Sequence, residues 1–208
     1  MQKMENKPHI MPAAAVKGIA SGLLMMACFT MIWAGIAYGG LHAATYALVL
    51  IVFPLLGIVF IAKGIALFRI AKYFPMLTSE ADIAREKKTG MWFGIIFGAE
   101  GLGIFVAINI VTNLGHADLT IPVIALVVGL HFYPLAKVFR RTVDYYLATW
   151  STIIAICGIL FTLNNIMPVN YVSAFTGIGI AIATSCYGIY MIVSGNKAIK
   201  QLPVGTIA

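Results

Sequence analysis

Two residues of this sequence combine acid–base chemistry with a setting that would change it. Glu100 stands in the apolar run Phe97-Gly98-Ala99-Glu100-Gly101-Leu102, and His131 in Gly129-Leu130-His131-Phe132. A carboxyl group and an imidazole at one depth can share or pass a proton. A carboxylate at the centre of a bilayer costs about 2.5–3.5 kcal/mol, so the neutral acid is the form expected at Glu100. One reading makes the pair a protonatable site in a transport or binding pathway. The other makes it a neutral hydrogen bond that locks two helices. Thr30, Thr184, Ser185 and Tyr187 supply further polar groups at mid-depth and join Glu100 and His131 as candidate substrate- or proton-binding residues. Thr and Ser hydroxyls often bond their own helix's carbonyls, so each signal is weak alone. Pro54 and Pro134 are expected helix breaks, each leaving the carbonyl four residues earlier, Leu50 or Leu130, without its helical donor. Freed carbonyls of that kind can coordinate an ion or permit a hinge.

Other chemistries find less support. The sequence has no Gly-x-Ser-x-Gly, no His-Glu-x-x-His and no Gly-x-x-x-x-Gly-Lys-Ser/Thr. An intramembrane enzyme would have to use Glu100 and His131 as acid and base, so no catalytic residue is assigned. Cys28, Cys157 and Cys186 lie in apolar stretches without paired ligand spacing, and read as small hydrophobes. His42, His116 and Asp118 fall in separate loops, and haem would want a second deep histidine. Neither a metal site nor a cofactor is expected.

The elements that position these residues follow from composition. Of 208 residues, 61% are hydrophobic and 10% charged, with a mean hydropathy of +0.96. A water-facing surface needs about a quarter of its residues charged. That excludes a soluble enzyme, a disordered chain and a disulfide-stapled secreted module. The solvent of this chain is lipid. Crossing roughly 30 Å of hydrocarbon takes about 20 apolar residues in a helix. Stretches near 15–38, 46–67, 91–113, 120–138, 146–164 and 171–194 qualify. All are expected as helices, because lipid leaves no backbone amide unsatisfied and the alternation of a barrel strand is absent. The first run is too long for a secretory signal, so a retained span is expected. A short charged helix near 79–89 should precede the third span. The reading is a single all-α transmembrane domain over 1–208: a six-helix bundle.

Charge orients it. Fourteen Lys and Arg stand against seven Asp and Glu, a formal net charge of +7. The basic residues precede or open the first span, fall at the end of the second or in the loop after it, at the end of the fourth or just after it, or follow the sixth. The alternate loops, Gly39–Thr45, Leu114–Leu119 and Asn165–Asn170, hold no Lys or Arg. The positive-inside rule places both termini in the cytoplasm. The basicity is thus a topology signal, and no nucleic-acid partner is expected.

Depth brings the two ionisable residues together. Glu100 lies about nine residues into the third span from one side, and His131 about eleven into the fourth from the other, roughly 14 and 16 Å deep. Spans joined by a short loop are expected as antiparallel neighbours. Gly18-x-x-x-Gly22, Gly35-x-x-x-Gly39 and Gly94-x-x-x-Gly98 with Gly101, and Gly177 with Gly179, let helices approach closely or leave a face for a second copy of the chain. On a helical wheel Glu100 borders the small-residue face of its span, which is expected to point into the bundle.

The octapeptide Gly129-Leu130-His131-Phe132-Tyr133-Pro134-Leu135-Ala136 resembles the Gly-Leu-His-Phe-x-Pro-Leu-Ala motif of a family of small bacterial integral membrane proteins of unknown function. Length and the six-span pattern are similar across most of the chain. The resemblance implies a multi-pass protein of the bacterial inner (plasma) membrane and transfers no activity or substrate. The function expected is that of a small-molecule or ion transporter or channel-like protein with a protonatable Glu/His site. The alternatives are a membrane module that binds a lipid or partner protein, and the intramembrane enzyme.

Overall fold

The structure, a computed structural model, describes residues 10–40 and 47–202. Six long helices follow one another: α1 (Ala13–Gly39), α2 (Ala47–Ile70), α3 (Glu80–Asn113), α4 (Thr120–Phe139), α5 (Thr142–Leu163) and α6 (Val169–Ile199). Single 3-10 turns, Ala71–Tyr73 and Ala117–Leu119, follow α2 and precede α4. No strand occurs among the described residues. All six helices are long and apolar enough to cross a membrane. The protein is an all-α six-helix membrane bundle, and its six passes leave α1's start and α6's end on the side that carries the basic residues.

The helix ends lie within about five residues of the hydropathy boundaries, with one exception. The charged segment and the third span are not separate: α3 runs unbroken through both for 34 residues, about 50 Å at helical rise. Ser79 is its N-cap residue, but no side-chain cap is made, and the Ser79 carbonyl instead accepts from the Asp82 and Ile83 amides. Nothing in Arg85–Gly90 breaks a helix, so the charged turns continue outward as the same rod. The breaks expected at Pro54 and Pro134 are also absent, since α2 and α4 run through their prolines. Each proline removes one hydrogen bond, and in lipid the intact bonds on either side keep the backbone helical.

Packing divides the bundle unevenly. α1 lies along α6 and α2; α5 joins α6 to α4; α3 packs chiefly on α4. Apolar side chains more than half exposed face outward, Leu55, Ile58, Leu102 and Phe105 among them. That is how a bundle meets lipid, not a defect of its core.

Glycines decide which faces meet, and only some of those that spacing suggests. A Cβ on Gly177 would lie 2.7 Å from the Ala37 amide nitrogen and 2.8 Å from the Trp33 carbonyl oxygen, so α6 touches the backbone of α1 there. Gly129 brings α4 equally close to the Thr152 amide of α5, at 2.8 Å. By contrast, a Cβ on Gly18, Gly35, Gly39, Gly90, Gly94, Gly98 or Gly101 would meet nothing within 4 Å. The small-residue face of α3 is therefore its outer face; among the glycines of the three Gly-x-x-x-Gly pairs only Gly22 is in contact, against Met191, whereas Gly177 and Gly179 of α6 both meet a neighbouring helix as expected.

The α4–α5 corner is unusually short. Only Arg140 and Arg141 separate the two helices, and Arg140 adopts a left-handed conformation (φ 53°, ψ 44°). A side chain there costs about 1 kcal/mol that glycine avoids. Arg140→Gly should accordingly stabilise the fold by about 0.5–1 kcal/mol in a denaturant titration; an unchanged or lowered midpoint would show the corner to be unstrained.

Candidate functional site

The α3–α4 interface places the two ionisable residues in contact. Along α3 the partly or fully buried positions include Phe93, Ile96, Glu100, Gly103, Ala107 and Val111, spaced by three or four like the seam of a coiled coil. Glu100 occupies one of these seam positions, so its side chain points at α4. His131 points back from α4. Its Nδ1 lies 3.3 Å from Glu100 Oε1, and the two side chains are only 11% and 9% exposed, His131 first. The contact is close but not aligned as a hydrogen bond, and Nδ1 has no aligned partner. The expectation that Glu100 turns inward is met through this seam and not through the glycine face. Gly103, the one seam glycine, lets Val127 of α4 approach to 3.2 Å from where a Cβ would stand. Asn109 bonds the Phe105 carbonyl of its own helix at 2.7 Å and takes no part.

The remaining candidates fall in two other places. Thr30 of α1 donates to Thr184 Oγ1 of α6 at 2.8 Å, both buried. Thr184 in turn reaches the Ile180 and Ala181 carbonyls, at 3.2 and 3.1 Å. This pair clamps α1 to α6. Thr30→Val should cost about 1 kcal/mol, since Thr184 keeps its own-helix acceptors, whereas Thr184→Val should cost about 1–2 kcal/mol by stranding the buried Thr30 hydroxyl. Unfolding in denaturing detergent would rank the two, and the reverse order would overturn this account of the clamp. Ser185 is buried without a hydrogen-bond partner.

Tyr187 is the residue whose partners were not foreseen. Its ring meets Phe132 edge-on at 6.0 Å between centroids, and Phe132 in turn lies 4.2 Å from the His131 ring. Its hydroxyl, however, turns to the basic end and accepts from Arg141 Nη1 at 3.2 Å. Beside it lies Asp144, with no exposed surface at all. Neither Arg141 nor Asp144 stood among the sequence candidates. A signal was there: Asp144, Ala148, Ser151, Ala155, Gly158 and Thr162 form one small and polar stripe at helical spacing, and all six are buried.

Two hollows among the described residues leave the candidates out. A groove of about 410 Å³ runs along the outer end of α3 past Phe105, Asn109 and Asn113. A smaller hollow of about 130 Å³ at the basic end is lined by Met11, Ile19, Arg141, Tyr190, Met191 and Ser194. Neither includes Glu100 or His131. Among the described residues no three His, Cys, Asp or Glu side chains gather as metal ligands; His42 lies outside the described residues. The arrangement that can do chemistry is thus an acid and a base in one water-poor seam. Set beside protein-family models, curated proteins and solved structures, the chain matches none of them.

Proposed function

We propose that this protein moves a small molecule or ion across the bacterial inner membrane, with the basic end in the cytoplasm, and that Glu100 and His131 bind the proton that accompanies it. One observation carries the reading: two spans each place an ionisable side chain at mid-depth, and the two meet at 3.3 Å. Ionisable groups inside a membrane are costly and rare, and they mark proton relays and ion pathways. An acid beside a base with a free Nδ1 can hold one proton in either of two places. The resemblance of Gly129–Ala136 to a bacterial inner-membrane family supports the setting.

A helix lock is favoured by one different observation, the place of Glu100 in a regular packing seam, where a single polar residue sets register. Proteoliposomes separate the two. With an imposed potential and a pH-sensitive dye inside, the intact chain should carry protons, and Glu100→Gln should abolish the flux while leaving the helical signal unchanged. Equal flux from the wild type and Glu100→Gln would overturn the proton site, as would no flux above that of empty liposomes from either.

A further inference from the structure

Asp144 is the most completely buried charged group among the described residues, and the Glu100–His131 reading makes no use of it. It sits in the first turn of α5, turned inward onto α6. Neither carboxyl oxygen has an aligned hydrogen-bond donor. An ionised carboxylate so placed bears a desolvation penalty of several kcal/mol unless it is paired and hydrogen-bonded. The groups able to pair with it are few. From α6 comes Tyr187, and from the α4–α5 corner Arg141; both lie close enough to act on the carboxyl. Tyr190 stacks on Tyr187 at 6.2 Å and is partly exposed. Lys137 and Arg140 at the end of α4, and Lys17 on α1, are exposed. The α1 positions buried at this level, Val16, Ala20 and Leu23, are apolar.

Arg141 does not close on Asp144. Its Nη1 donates to the Tyr187 hydroxyl, and its guanidinium carbon stands 4.8 Å from the centre of the Phe139 ring. It also lines the 130 Å³ hollow at the basic end, so the guanidinium has space beside it in which to turn. Two arrangements of the same three side chains are therefore available. In one, Arg141 rests on Tyr187 and Asp144 carries a proton. In the other, Arg141 swings onto an ionised Asp144 and leaves Tyr187.

We propose that Asp144 is a second proton-binding site of the protein, reached from the basic end past Arg141, with Arg141 as its movable counter-ion and Tyr187 as the resting place of that counter-ion. On binding, a proton leaves a hydronium ion for a carboxyl oxygen of Asp144, water is released, and Arg141 returns to Tyr187. On release the O–H bond breaks, the proton goes back to water and the guanidinium pairs with the carboxylate. No other reactant is needed. The site stands apart from Glu100 and holds whether or not Glu100 carries a transported proton.

The test is an infrared titration of the reconstituted full-length chain in a Glu100→Gln background, following the C=O stretch of protonated carboxyl groups. Subtracting the spectrum of Glu100→Gln/Asp144→Asn isolates Asp144 from the exposed carboxylates. A band that grows as the pH falls is expected. Removing the counter-ion with Arg141→Gln should move its midpoint about one to three pH units upward, because a carboxylate near an arginine is favoured by that much. Tyr187→Phe should move it downward, since Arg141 then has only Asp144 to pair with. Arg141→Lys should restore part of the original midpoint. Should Asp144→Asn fail to fold, the opposite shifts of the other variants still decide. Absence of an Asp144 band at every pH where the protein stays folded would overturn the proposal, and so would a midpoint indifferent to Arg141→Gln.

Discussion

Gly177→Leu is expected to destabilise the bundle by about 3 kcal/mol, the upper part of the range for overpacking. The side chain would have to enter space already held by the backbone of α1, with the Ala37 nitrogen and the Trp33 oxygen 2.7 and 2.8 Å from its first carbon. A flexible side chain can yield to such an intrusion, but a helix backbone moves only as a whole. α1 would have to part from α6, the helix with the most buried positions in the structure, and the nearby Thr30–Thr184 bond would be lost with it. Gly94→Leu is the control, because a Cβ there meets nothing within 4 Å, and leucine is a better helix former than glycine by somewhat less than 1 kcal/mol. Unfolding of the two variants by a denaturing detergent, followed by circular dichroism, measures the difference. Equal midpoints would mean that α1 and α6 do not meet as described.

The Glu100–His131 contact should show itself as energetic coupling. Glu100→Leu leaves His131 in a seam with no polar group to meet it, and His131→Leu strands a buried carboxyl. Each single change is expected to cost about 1–3 kcal/mol, the penalty for a buried polar group without a partner. The double variant, with leucine at both positions, presents two apolar groups to each other. Its loss should fall short of the sum by about 1 kcal/mol, within the range found for neighbouring residues. A double-mutant cycle in the same detergent assay gives that number, and additivity within experimental error would show that the two side chains do not act on one another. The cycle is independent of the flux measurement, so the contact can stand even where proton movement fails.

Much of this architecture is legible in the residues one after another. The span boundaries are close, α1 beginning at Ala13 against an expected 15 and α4 ending at Phe139 against 138. Counting residues inward along two spans joined by a short turn puts Glu100 level with His131, and the structure turns the two toward each other. Other features escaped the same reading. Gly94, Gly98 and Gly101 of α3 promised close packing and meet nothing, and the charged segment before that span is part of one helix with it. Asp144, which the sequence did not single out, is sealed under Tyr187.

The division has a physical origin. Lipid acts on each segment alone: length and hydropathy decide whether it spans, loop lysines and arginines decide its direction, and helical rise decides the depth of each residue. All three are properties of the linear chain, and depth was enough to bring Glu100 level with His131. Rotation about the helix axis is another matter. In water the apolar face of a helix declares itself, because the opposite face must be polar. In hydrocarbon the outer face is as apolar as the inner, and helices choose partners by shape and by a few polar contacts. Which glycines touch a neighbour, and whether Asp144 faces headgroups or Tyr187, is settled only when six helices compete for the same space, and that competition exists only in the folded structure.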